Sequence, residues 1–362
     1  MKTFKSGNYI NQGTHKSFQP TKINQQWTIE DMEVLTLLSQ ADRQLGRLDM
    51  YSEYIPNIDL FISMHVLKEA TQSSKIEGTK TNIEDALLDK EDVNYIEALN
   101  SAIKSLEKLP FSSRLIRETH KILLQGVRGK HKLPGEFRSS QNWIGGASIN
   151  DATFIPPIHS TVNEYMSDLE NFAHNSESFF PDLLKIALIH YQFETIHPFL
   201  DGNGRVGRLM ITLYLVEKGI LKKPILYLSD FFERNRMLYY DNLTRVREKN
   251  DLCQWYKFFL VGVIETAKNG INTFDSILKL QKEVEIKLQT LGSRSHNAQL
   301  ILNHLYQRPI IDAQKVKDLT SLSSPSVYKL IEELEKLEIL TEITGGKRGK
   351  KYLFREYTKL FK

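Results

Sequence analysis

Cysteine is nearly absent: Cys253 stands alone among 362 residues. An internal disulfide is therefore excluded, and so is a cysteine-built metal cluster, which suits a reducing cytosol. Long apolar runs are lacking too. The richest, Leu183–Phe193, is interrupted by Lys185 and His190 and falls well short of the ~20 residues that span a bilayer. The opening stretch, MKTFKSGNYINQGTHKSFQP, has no apolar core of the kind a secretory signal carries. A soluble cytoplasmic protein without a membrane role is the expectation. Nor does either charge sign dominate, since 48 basic residues face 44 acidic ones for a net charge of +4. His296–Lys362 holds 12 basic and 8 acidic residues and thus the whole excess, densest at Lys347–Lys351.

What is present is helix-type apolar spacing, in a chain long enough for two or three domains. The first ~25 residues are polar and read as an arm rather than a packed element. Met32, Leu35, Leu38 and Leu45 mark a first amphipathic helix. Leu60, Met64, Leu67 and Ala70 mark a second, from Ile58 to about Ile76. Thr81 with Glu84 reads as a capping box opening another helix, and Tyr95–Leu109 as one more, ended by Pro110. Gly135–Ser148 and Thr153–Pro157 mix glycine, aromatic and β-branched residues, which predicts a hairpin or flap. Leu183–Thr195 is a strongly apolar helix ending at His197, because Pro198 turns its predecessor away from helical geometry.

The segment that carries chemistry is His197-Pro-Phe-Leu-Asp201-Gly-Asn203-Gly-Arg205-Val-Gly-Arg208. Gly202 and Gly204 let the backbone turn tightly and approach a ligand closely. The free N–H groups opening the next helix face the same space, a ready anion site. Arg205 and Arg208 lie three apart on that helix, so both can reach anionic oxygen. Asp201 adds one hard oxygen, enough for Mg²⁺ when phosphates and waters complete the shell. His197, with an ordinary pKa near neutrality, supplies a base on the opposite lip. These parts suffice for phosphoryl-type transfer, which needs little beyond positioning and charge stabilisation. The physics permits attack at the α- or the γ-phosphorus. Singly, each residue has an ordinary explanation in capping, turn formation or surface ion pairing. Seven specified identities at fixed spacing arise by chance on the order of once in 10⁹ positions, the check that motif reading demands.

The segment resembles the signature HPFxDGNGRxxR of the Fic family at every specified position. The resemblance extends to Gly135-Glu-Phe-Arg138-Ser-Ser-Gln-Asn-Trp143-Ile-Gly145-Gly146, to Phe154-Ile155-Pro156-Pro157, and to Leu226–Ser229 with Asn235 and Tyr239-Tyr240. It covers about residues 25–265. It implies a mainly α fold, a Fic-type helical core with a small β-hairpin flap. It also implies transfer of AMP from Mg·ATP to a Ser, Thr or Tyr hydroxyl of a protein. By that resemblance His197 deprotonates the hydroxyl and Asp201 holds Mg²⁺ between the α- and β-phosphates. Gly202, Asn203, Gly204 and Gly207 line the nucleotide, Arg205 and Arg208 bind the β- and γ-phosphates, and Asn235 contacts the nucleoside. Ile144, Gly145, Gly146, Ile155 and Pro156 align the target by strand-like main-chain pairing.

Ser73-Ser-Lys-Ile-Glu77-Gly78 closes the second helix. Ser73 and Glu77 share a face, and Gly78 fits the position just past the helix end. Glu77 then meets the negative end of the helix, an unfavourable placement unless a cation compensates. The segment resembles the Fic inhibitory motif (S/T)xxxE(G/N). That implies that Glu77 pairs with Arg208 and takes the space of the γ-phosphate. In some relatives the equivalent glutamate positions water for AMP removal, so a de-AMPylase is the alternative.

The tail reads as helix (Ala298–Tyr306), short helix (Ala313–Leu319), helix (Ser324–Leu337) and two strands flanking Gly345–Lys350, a succession that resembles a winged helix-turn-helix. Ser324, Ser326, Tyr328 and Lys329 open its recognition helix, and Lys347, Arg348, Lys350 and Lys351 suit backbone phosphates. Glu332, Glu333, Glu335 and Glu338 argue instead for protein docking. A DNA-binding regulator whose core senses nucleotide is thus a further alternative, and a homodimer that locks the inhibitory helix is conceivable. The expected division is 1–110 for the N-terminal helical region, 111–267 for the catalytic core, 268–295 for a connecting helix and 296–362 for the winged-helix-like part.

Overall fold

The computed structural model describes residues 4–55, 57–78, 90–126, 130–346 and 348–361. Among them are fourteen α-helices and two small antiparallel sheets. No described helix is long and apolar enough to cross a membrane.

The N-terminal residues are a packed hairpin, which corrects the expectation of a loose arm. Strand β1 (Gly7–Asn11) pairs with β2 (Lys16–Pro20), Gly7 opposite Pro20. Phe18 is buried, its ring 5.9 Å from that of Phe154, and its N–H donates to Ile155 O at 2.9 Å. Ser6 ties the base of the hairpin to Asn250 and to Arg247 O. One aromatic anchor and a few backbone bonds suffice, and a composition averaged over ~25 residues hides such an anchor.

Helix α1 (Met32–Tyr54) starts at Asp31, whose carboxylate accepts from Glu33 N and Val34 N. Its buried face is Val34, Leu38, Ala41, Leu45 and Leu48, whereas Met32 and Leu35 are exposed. The apolar stripe is rotated from the one the spacing predicts. Helix α2 (Asp59–Ile76) is enclosed on almost every side, and Glu69 is buried in it. Thr81 and Glu84 lie outside the described residues. Helix α3 (Lys90–Ser105) and α4 (Ser113–Leu123, capped by Ser112) follow, then α5 (Val162–His174).

The centre is α6 (Asp182–Ile196), in which every residue from Leu183 to Ile196 is buried. Packed against it is α7 (Asn203–Glu217). A helix buried all round belongs in a core, which fixes the rigid frame for the loop between the two. Helices α8 (Ser229–Arg234) and α9 (Arg236–Lys249) lead to α10 (Leu252–Gln289). This 38-residue helix runs unbroken through position 267, where the sequence places a boundary, and packs along α1.

The tail comprises α11 (Ser295–Gln307), β3 (Ile310–Asp312), α12 (Ala313–Thr320), α13 (Ser324–Lys336), β4 (Thr341–Glu342), β5 (Lys351–Leu353) and α14 (Arg355–Lys359). The sheet order is β3-β5-β4, with Ile311 opposite Tyr352 and Thr341 opposite Leu353. The sequence reading had no counterpart of β3. The tail lies against α2: the ring of Tyr306 is 5.0 Å from Phe61, and that of Phe361 is 5.0 Å from His65.

Candidate active site

The loop between α6 and α7 turns on two left-handed residues. His197, at φ +50°, ends α6 with its N–H on Phe193 O (2.9 Å), and Gly202, at φ +76°, precedes α7. The first is a strained place for a side chain, the second a natural one for glycine. Buried Arg138 braces the corner by donating to His197 O (3.0 Å), Ile196 O (3.3 Å), Pro157 O (2.5 Å) and Ser140 O (3.2 Å). Asn142 donates to His197 O and Phe199 O. The flap ends are thereby tied to the His197 backbone.

The His197 ring has Nδ1 enclosed, with the Glu194 backbone as a polar neighbour rather than a well-formed hydrogen-bond partner. Burial pushes its pKa down to about 4; Glu77 opposes that shift and Arg138 reinforces it. The imidazole is therefore neutral at physiological pH.

His120 stacks on Phe199 at 3.7 Å. Its Nδ1 accepts from Gly135 N (2.8 Å), so its Nε2 carries the proton and donates to Asp201 O (3.0 Å). Asn203 stitches the loop from inside, its Oδ1 accepting from Phe199 N and its Nδ2 donating to Phe199 O, both at 2.8 Å. The Asn203 side chain is thus committed to the loop and leaves only its backbone N–H for an anion. Gly207 also differs from expectation, for it faces α6: an added Cβ would strike Glu194 Oε1 and lie 3.1 Å from Phe193. Gly207 is a close-packing glycine there, and its carbonyl meets His190 Nδ1 at 2.9 Å.

Glu77 and Arg208 come together as the sequence anticipates. Arg208 Nη2 donates to Glu77 Oε1 at 2.7 Å and to Ser73 O at 3.0 Å, while Nε donates to Ser73 Oγ at 2.9 Å. The Arg208 side chain is 1% exposed and that of Glu77 42%. Burial raises the pKa of Glu77, but Arg208, Arg205 and His197 outweigh it and hold the carboxyl below its usual range. Gly78, at φ +99°, ends the turn. Glu69 anchors α2 further back, taking Tyr95 Oη (3.0 Å), Ser229 Oγ (2.5 Å) and Ser229 N (3.1 Å).

Glu194 is the residue the sequence reading missed. It is buried beside Gly207, its Oε1 lacks a partner, and burial lifts its pKa to about 7 while Arg208 pulls it down. Its position three before His197 was the available signal.

Arg205 Nη2 lies 3.9 Å from Asp201 Oδ1, which accepts from Gly202 N at 2.6 Å. The Asp201 side chain is half exposed. Among the described residues no group of three or more His, Cys, Asp or Glu side chains could hold a metal. One carboxylate beside a phosphate loop still fits Mg²⁺, which draws most of its ligands from phosphate and water. The Asn235 amide donates to Phe231 O at 2.9 Å, within its own turn. In the flap, Ile144 N donates to Phe154 O (2.8 Å) and Phe154 N to Ile144 O (3.1 Å). Gly145 and Gly146 have positive φ at +71° and +73°. In the tail, Ser324, Ser326, Tyr328 and Lys329 are exposed on the first turns of α13, and Lys347 lies outside the described residues.

The mainly helical fold with this loop is that of Fic proteins. A Fic family protein from Desulfovibrio desulfuricans superposes with a TM-score of 0.59 at 17% identity, over 91% of this chain and 98% of that one. A Fic domain containing signaling protein from Bacteroides thetaiotaomicron gives 0.50 at 19% identity, over 66% of this chain and 95% of that one. Residues 110–215 match the Fic/DOC family and residues 35–104 the Fic/DOC family N-terminal region. The chain belongs to the Fic/DOC family. A probable protein adenylyltransferase of Aquifex aeolicus is 24% identical over 64% of this chain and 72% of its own length. Protein adenylyltransferase Fic of Aedes aegypti is 26% identical over 52% of this chain. The chain spans only 35% of that mosquito protein.

Proposed function

We propose that this protein is a protein adenylyltransferase, held in check by Glu77. The observation that carries the reading is the convergence of His197, the Gly202–Gly204 turn and Arg208 on one loop, with Glu77 bonded to Arg208 at 2.7 Å. ATP would lay its phosphates on the N–H groups opening α7 and on Arg205 and Arg208. Asp201 would hold Mg²⁺, which neutralises phosphate charge when bound.

With Nδ1 enclosed, Nε2 of neutral His197 takes the proton of a target Ser, Thr or Tyr hydroxyl. That oxygen forms the new bond to the α-phosphorus, and the bond to pyrophosphate breaks. The target would lie along the flap as an added strand. Ile155 O is occupied by Phe18 N, and Ile144 is paired with Phe154, which leaves the backbone of Trp143 and Gly145, both exposed and without hydrogen bonds among the described residues. This narrows the expected docking segment, Ile144–Gly146 with Ile155–Pro156, to its first half.

A second reading, removal of AMP, draws support from Glu77 itself: it is ionised, partly exposed and electrically coupled to His197. It could orient water at a phosphodiester. Incubating the protein and E77G with Mg·ATP, and reading intact mass, tests the first reading. An AMP-sized adduct on E77G is the expected result, and its absence would overturn it.

A further inference from the structure

The tail carries a concavity of about 300 Å³ lined by His304, Arg308, Lys315, Lys351, Asp312 and two isoleucines of β3. It lies away from the loop that bears His197 and does not depend on the function proposed for that loop. Three elements bring the cations together. His304 and Arg308 stand four apart at the end of α11, Lys315 is in the first turn of α12, and Lys351 opens β5. Arg308 is well placed at the negative end of α11, but Lys315 sits where the helix end is positive, an unfavourable position for a cation. Among the described residues none of Arg308, Lys315 and Lys351 is in an ion pair, and the His304 ring has no partner. Burial lowers the pKa of His304, and Lys315 and Arg308 lower it further, so the like charges meet at this ring. The single acid, Asp312, has Oδ1 committed to capping Lys315 N at 2.8 Å. Three fixed cations thus face one carboxylate across a space open to solvent.

Such an assembly repels itself until an anion enters, and an arginine with two lysines suits tetrahedral oxyanions. We propose that this concavity binds a phosphate group, offered by a small phosphorylated molecule or by a nucleic-acid backbone. Arg308 would make the directed contact, and Lys315 and Lys351 would supply charge from either side. The site lies on α11, β3, α12 and β5, apart from the exposed first turns of α13.

Binding of inorganic phosphate and of a ~20-base-pair DNA duplex would be measured on the full chain and on R308Q/K315Q. Both replaced residues are exposed, so the variant should fold, and its melting temperature checks this. The expected result is at least a roughly tenfold loss of affinity for one probe, with AMP transfer by the E77G background unchanged. Loss for phosphate alone assigns a small ligand. Loss for the duplex, with log-linear weakening by salt, assigns a nucleic-acid backbone. Equal binding of both probes by the folded variant and the parent, or no binding of either probe by the parent, would overturn the proposal.

Discussion

Glu77 and Gly204 share one volume. A Cβ on Gly204 would collide with Glu77 Oε1 and come within 2.9 Å of Arg208 Nη1. The carboxylate at the end of α2 therefore rests on the backbone that opens α7, where a phosphate would otherwise sit.

That contact predicts a non-additive pair. Gly204→Ala should destabilise the parent by ~1 kcal/mol, because the carboxylate must move while Arg208 stays buried. In the E77G background the same change should be neutral or slightly stabilising, since alanine favours helix over glycine by up to ~1 kcal/mol. Denaturant unfolding of the four proteins measures the coupling, and strictly additive values would refute the shared volume.

Removing the brake is the second expectation. Glu77→Gly should raise incorporation of label from α-labelled ATP by at least ~tenfold, equivalent to ~1.4 kcal/mol of released inhibition. The Glu77 carboxyl is held below its ordinary range, so the pair is fully formed above the usual carboxylate pKa. It is lost only as pH falls through the depressed folded value. The parent should stay inhibited from neutral pH down to that acid window, and relief of inhibition already at pH 6 would argue against the assignment.

His197 offers a third. In the E77G background, His197→Asn should cut transfer by a factor of ~10²–10⁴, the usual contribution of a general base. Asparagine tolerates the left-handed backbone at φ +50° better than alanine does, so the melting temperature separates loss of fold from loss of chemistry. An imidazole held near pKa 4 also places the acid limb of the rate profile below the ordinary histidine value. A limb at ~6.5 would contradict that.

Glu194 gives a stability signature. Its folded pKa of about 7 lies above the unfolded value, so the native state binds the extra proton. Stability should therefore fall as pH rises from about 4.5 to 7, by up to ~3 kcal/mol. Glu194→Gln should flatten that slope and be more stable than the parent at pH 8. Parallel curves for the two proteins would sink the prediction.

The helices and the two loop hinges were legible because each is local, whereas the Glu77–Arg208 pair, 131 residues apart, was reached only through the resemblance to the Fic inhibitory motif. His197 before Pro198 and Gly78 after Glu77 are chain-neighbour effects that a sequence displays directly. The hairpin at residues 7–20 was not legible, since its stability comes from Phe18 meeting Phe154, far along the chain. The same holds for the inward turn of Gly207 and for the commitment of the Asn203 side chain to Phe199. Which of several polar atoms is consumed internally depends on three-dimensional neighbours that spacing does not encode.

Helix α2 has one further consequence, for the way Glu77 can leave. The helix is an 18-residue rod of about 27 Å. Its early turns are wedged beneath Tyr306 and Phe361 and its middle is moored at Ser229 through Glu69. Swinging the rod would tear all of those moorings at once. Loosening only Glu77 and Gly78 breaks the short-range bonds Glu77 N to Ser74 O and Gly78 N to Lys75 O, together with the Glu77–Arg208 bond itself. Fraying of that helix tip is therefore the departure of the carboxylate that disturbs the fewest contacts.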